Sequence, residues 1–95
     1  MRTRYLVCYD IADPKRLRKV ARVCQGYGSR WQLSVFECAL DGLTLQKLRT
    51  HLSDVLKPAE DQIIFVPLGP EHSPKPDRIE VLGRPLEQRP RVTIV

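Results

Sequence analysis

The run Tyr5-Leu6-Val7-Cys8-Tyr9 ends on Asp10, and five cations follow it closely: Lys15, Arg16, Arg18, Lys19 and Arg22. A carboxylate beside positive charge suits work on a phosphodiester. Hydrolysis of that bond needs an activated water and relief of charge in the transition state. Mg2+ provides both, and it is held by one or two carboxylates together with substrate phosphate. The cations would hold phosphates without reading sequence. Each feature also has a plainer use: an aspartate after a strand is a common turn former, and a row of Lys and Arg can be a solvated helix face. The residues themselves leave both readings open.

Other chemistries find little support. His51 and His72 have no partners at metal-ligand or triad spacing. Ser29 and Ser34 lack the setting of an activated nucleophile, and Ser34 is expected to serve the backbone at a kink. No glycine-rich phosphate loop is present. Tyr9, Trp31 and Phe36 are expected in the core, since the aromatic-rich segment with which RNA-recognition sheets stack bases is missing. Cys8, Cys24 and Cys38 are an odd count without a CxxC pair, and read as small buried hydrophobes in a reducing compartment.

These residues must be carried by regular elements. The continuous apolar run 5–9 predicts a strand buried on both faces and central in its sheet. Asp13 as N-cap and Pro14 at the first helical position open a helix that stops at Gly26 or Gly28. Its apolar stripe is Leu17, Val20, Ala21, Cys24 and Tyr27. In residues 30–40 the alternation slips near Ser34-Val35, which predicts either one kinked strand or two short ones around a tight reversal. Leu45, Leu48, Leu52, Val55 and Leu56 share one face of a second helix, with Thr44 as candidate N-cap and Pro58 as its end. "DQIIFVPLG" predicts another buried strand. This order is that of an α+β, ferredoxin-like βαββαβ sandwich, an antiparallel sheet with two helices on one face. Residues 1–69 form that core. Residues 70–95 are a Pro-rich linker and two short apolar segments, "IEVLG" and "RVTIV", expected to pair with a partner's sheet edge through exchange of C-terminal strands.

Composition sets the class. A chain of 95 residues is one domain with a limited core, which favours dimerisation. With 42% hydrophobic and 28% charged residues it is an ordinary globular protein. No apolar stretch approaches a membrane span, and Asp10 interrupts what would be a signal peptide's core, so a cytoplasmic location is expected. The net charge of +5 is concentrated: residues 1–30 hold eight basic residues and two acids. Such a block points to a polyanion, most often nucleic acid.

Together "YLVCYDI", a basic helix closing at "GYG", "RWQLSVFECAL" and "EDQIIFVPLG" resemble the small ferredoxin-like CRISPR-associated adaptation endonuclease family, the partner subunit of the spacer-acquisition integrase. The resemblance covers residues 4 to 69, with a weaker echo in "IEVLG". It implies a homodimer in which two copies of Asp10 face each other, and a Mg2+-dependent phosphodiesterase, Mn2+ being a possible substitute, acting on single-stranded RNA or double-stranded DNA. It implies Asp10 as catalytic residue and metal ligand, with Tyr9 beside it. Lys15, Arg16, Arg18, Lys19, Arg22 and Arg30 would bind nucleic acid, and Asp13, Ser34 and Phe36 would support the active region. Many relatives carry a fixed pair of arginines early in the helix, whereas here the order is Lys15-Arg16-Leu17-Arg18-Lys19. The resemblance leaves two alternatives to an adaptation nuclease: a non-catalytic DNA-binding scaffold dimer within the integrase complex, or a toxin-type ribonuclease of the same fold.

Overall fold

The computed structural model describes residues 1–73 and 80–84. Strand β1 (Thr3–Asp10) leads to helix α1 (Pro14–Gln25), strands β2 (Gly28–Gln32) and β3 (Val35–Leu40), helix α2 (Gly42–Val55) and strand β4 (Gln62–Pro70). The strands lie in the order β2-β3-β1-β4, every pair antiparallel. This is the ferredoxin-like arrangement, with both helices on one face.

Local signals account for most of these boundaries. Asp13 accepts the backbone N–H of Arg16 at 2.9 Å, Pro14 occupies the first turn, and α1 closes at Gly26. The slip of phase in residues 30–40 is a tight reversal at Leu33-Ser34, and the Ser34 carbonyl accepts the Tyr9 N–H at 3.1 Å. At the other end of this hairpin, where β2 opens opposite Cys38, a glycine is required: a Cβ on Gly28 would collide with the Glu37 carbonyl and lie 2.6 Å from Cys38 Sγ. One expected cap moves. Helix α2 begins earlier, with Asp41 as N-cap accepting the Thr44 N–H at 2.7 Å, so Thr44 stands inside the first turn. Asp41 wins because its carboxylate reaches an orphan N–H three residues on, leaving Gly42 and Leu43 to be wound into the helix.

The core lies between helices and sheet. Val7, Tyr9, Phe36, Cys38 and Leu40 from the sheet meet Val20, Cys24, Leu48 and Leu52 from the helices. Leu17 sits at the margin, 37% exposed. His51 on α2 is hydrogen-bonded to the Tyr27 hydroxyl at 2.7 Å and so ties α2 to the turn that follows α1. Burial pushes the Cys24 thiol up to about 12, in keeping with a packing role.

The other sheet face is open. Strand β1 is central, as expected, but it is covered on one face only: Leu6 and Cys8 are half-buried where Val7 and Tyr9 are buried. Leu6 and Cys8 pair with Val66 and Ile64 of β4, and Cys8 pairs with Val35 of β3. Strand β4 is an edge strand rather than a buried one, with Ile64 48% and Val66 39% exposed. Its far end bulges where the register shifts beside Arg4 and Tyr5, and Gly69 takes φ 114° there, a value that favours glycine. Glu80 to Arg84 form no strand, and Leu82 is 89% exposed. The segment "RVTIV", and with it the expected strand exchange, lies outside the described residues.

Candidate active site

Alternation along β1 separates two neighbours that the sequence places side by side. Asp10 is exposed and in phase with Leu6 and Cys8, so it belongs to the open face, at the strand end where its backbone pairs with Gln62. Tyr9 points the opposite way, into the core.

There it stacks on Phe36, ring centroids 6.2 Å apart, and its hydroxyl donates to the Leu33 carbonyl at 3.1 Å. Burial pushes the phenol up to about 12, against the opposing pull of the nearby Arg30 guanidinium. Arg30 itself lies over the Phe36 ring, 5.2 Å from the centroid, with its Nε buried and without a hydrogen-bond partner. Tyr9, Phe36 and Arg30 thus form one cluster on the covered face, closed by the reversal at Ser34. The Tyr9 side chain is therefore buried on the face opposite to that of its neighbour Asp10.

The cations of α1 divide as well. Lys15, Arg18, Lys19 and Arg22 are exposed, whereas Arg16 is turned inward. Arg16 Nε donates to Asp61 Oδ2 at 2.8 Å, and its Nη2 donates to Asp61 Oδ1 at 3.2 Å and Glu60 Oε1 at 2.9 Å. A guanidinium so engaged acts as a counter-ion to Asp61 and Glu60, which sets Arg16 apart from its exposed cationic neighbours. The Asp61 side chain is 0% exposed. It also accepts the Ala12 N–H at 3.0 Å and the Lys57 N–H at 2.8 Å. These donors, the Arg16 guanidinium foremost, hold its carboxyl well below the usual carboxylate range. Sequence reasoning missed Asp61, since "AEDQ" reads as surface charge. Asp13 remains the helix cap, its carboxyl lowered chiefly by the Arg16 N–H.

Could these residues hold a metal? Among the described residues no group of three or more His, Cys, Asp or Glu is arranged to do so. Asp10 is one exposed oxygen donor per chain. It fits Mg2+, which keeps several waters and needs only one or two carboxylates besides phosphate oxygens, and it does not fit a closed metal cage.

The family model described as "CRISPR associated protein Cas2" matches residues 1–75, a span that contains both helices and all four strands. The CRISPR-associated endoribonuclease Cas2 of Geobacter sulfurreducens is 31% identical over 91 residues, covering 96% of this chain and 95% of its own length. A second relative, CRISPR-associated endoribonuclease Cas2 1 of Rhodospirillum rubrum, is 37% identical over 91 residues, covering 96% and 88%. Among solved structures, Streptococcus pyogenes Cas2 at pH 6.5 superposes with a TM-score of 0.73 at 36% identity, over 84% of this chain and 99% of that one. A family model that matches residues 1–75, together with relatives more than 30% identical over nearly the whole chain, shows that the chain belongs to the family of the CRISPR-associated protein Cas2.

Proposed function

We propose that this chain is a homodimeric, Mg2+-dependent endonuclease of CRISPR adaptation, cutting RNA or duplex DNA at a site shared by two copies of Asp10. The observation that carries the reading is the position of Asp10: exposed, at the end of the central strand, on the same face as the uncovered apolar residues Leu6, Cys8, Ile64 and Val66. A second copy laid on that face would bury them and bring a second carboxylate to the first. Such dimerisation also suits a chain of 95 residues with a small core.

When bound, Mg2+ supplies Lewis-acid relief of phosphate charge and a more acidic water. The chain's own part is binding and placement. Asp10 is the oxygen donor for the ion. Lys15, Arg18, Lys19 and Arg22, exposed on α1, neutralise the nucleic-acid backbone and hold it in register. Asp13 and Pro14 fix where α1 starts, and so how soon after Asp10 the cations begin. Within the adaptation complex the integrase would be the dimer's partner.

Divalent-ion titration against single-stranded RNA and duplex DNA tests this reading. Cleavage should require Mg2+ or Mn2+ and fall about 100-fold or more in Asp10→Ala, while binding persists. Replacing Lys15, Arg18, Lys19 and Arg22 by Glu should weaken binding and lower the salt slope by roughly one for each phosphate no longer neutralised. Cleavage that survives EDTA or Asp10→Ala overturns the enzymatic reading. Binding without cleavage by the wild-type dimer would instead make it a DNA scaffold.

A further inference from the structure

Asp61 is the only buried charged residue among those described. A carboxylate withdrawn from water is costly unless its lone pairs are met, and here all four sites are used. Oδ1 accepts Ala12 N–H at 3.0 Å and Arg16 Nη2 at 3.2 Å, and Oδ2 accepts Lys57 N–H at 2.8 Å and Arg16 Nε at 2.8 Å. Each oxygen takes one backbone N–H and one tooth of the guanidinium fork. The donors come from three separate segments: the turn after β1, the first turn of α1 and the loop after α2.

Asp10 is tied to Asp61 on two sides, once through the side-chain bond to Ala12 and once through the backbone. Ala12 follows it by two residues, and Gln62, its partner across the β1–β4 ladder, directly follows Asp61. We infer that Asp61, with Arg16 as its counter-ion, is the positioning residue that fixes the Asp10 end of β1. The inference rests on the reading of Asp10 as the catalytic carboxylate, and it gives Arg16 a duty distinct from that of its cationic neighbours. A loose strand end would let the carboxylate wander by an ångström or so, enough to lose most of a rate that depends on placement.

Asp61→Asn tests the clamp, because the amide keeps size and one acceptor but sets an NH2 group against the donors that the carboxylate had accepted. Expected are a fall in kcat of about 10- to 100-fold, KM within about twofold, and hydrogen exchange at the Ala12 amide about tenfold faster or more. Arg16→Lys, which keeps the charge and loses the fork, should fall between wild type and Asp61→Asn and decides the matter if the latter does not fold. Asp41→Ala serves as control: it removes the N-cap of α2, lowers Tm and leaves kcat unchanged. A kcat in Asp61→Asn equal to wild type, or lowered only as much as in Asp41→Ala, overturns the inference. Should the wild-type chain cleave nothing, the nuclease reading fails separately. Exchange at Ala12 then decides the clamp, faster exchange supporting it and unchanged exchange overturning it.

Discussion

On the helix side of the sheet Val7, Phe36, Cys38 and Leu40 are at most 2% exposed, whereas on the opposite side Ile64 and Val66 keep 48% and 39% of their surface. Both sets are apolar, but the first sits on β1 and β3 and the second on the edge strand β4. What separates them is cover: α1 and α2 lie over the first set and nothing in the described chain lies over the second. The covered face answers for stability, and it draws Tyr9, Phe36 and Arg30 into itself. The open face carries Asp10 and a surface suited to a second copy. Two adjacent residues, Tyr9 and Asp10, therefore lie on different faces.

Three substitutions probe that division. Phe36→Ala on the covered face should cost about 3–5 kcal/mol, a large share of the stability of a small domain, measurable by denaturant titration. A loss under about 1 kcal/mol would mean that the helix side is not the core. Ile64→Asp on the open face should barely change the stability of one subunit, yet weaken self-association about 30-fold or more by sedimentation. Unchanged mass would leave the open face without the proposed partner. Tyr9→Phe should cost only about 0.5–1.5 kcal/mol, for the bond to the Leu33 carbonyl, with a fall in cleavage well short of that in Asp10→Ala. Equal losses of cleavage in the two variants would erase the contrast between the faces.

Much of the frame was legible in the residues. Asp13-Pro14 and Gly26 bound α1 because caps act over three or four residues, and the leucines of α2 declare its buried face by spacing. The slip at Ser34-Val35 is visible because side-chain direction in a strand has a period of two, but it reads equally as a kink or a reversal, and the folded chain makes it a reversal. Strand β4 was harder. Its run Ile63-Ile64-Phe65-Val66 suits a central strand, and it suits equally an edge strand whose second face awaits another chain. Thr44 and Asp41 are both good caps, and only the path of the backbone shows which one meets an orphan N–H.

The charged residues were the least legible. Arg16 and Arg18 look alike in a basic helix, yet one is clamped inward and the other is exposed. Nothing in "AEDQ" marks Asp61 for burial and Glu60 for the rim. The composition, the caps and the apolar periods were enough to set the elements, their order and the presence of an acid at the end of a strand beside a basic helix, because each of those follows from interactions within a turn or two. Which cation is free, which carboxylate is buried and which face stays open were decided by the folded chain. Those outcomes depend on groups 45 residues apart being brought to 2.8 Å, and on which surfaces are left in water once the helices have taken theirs.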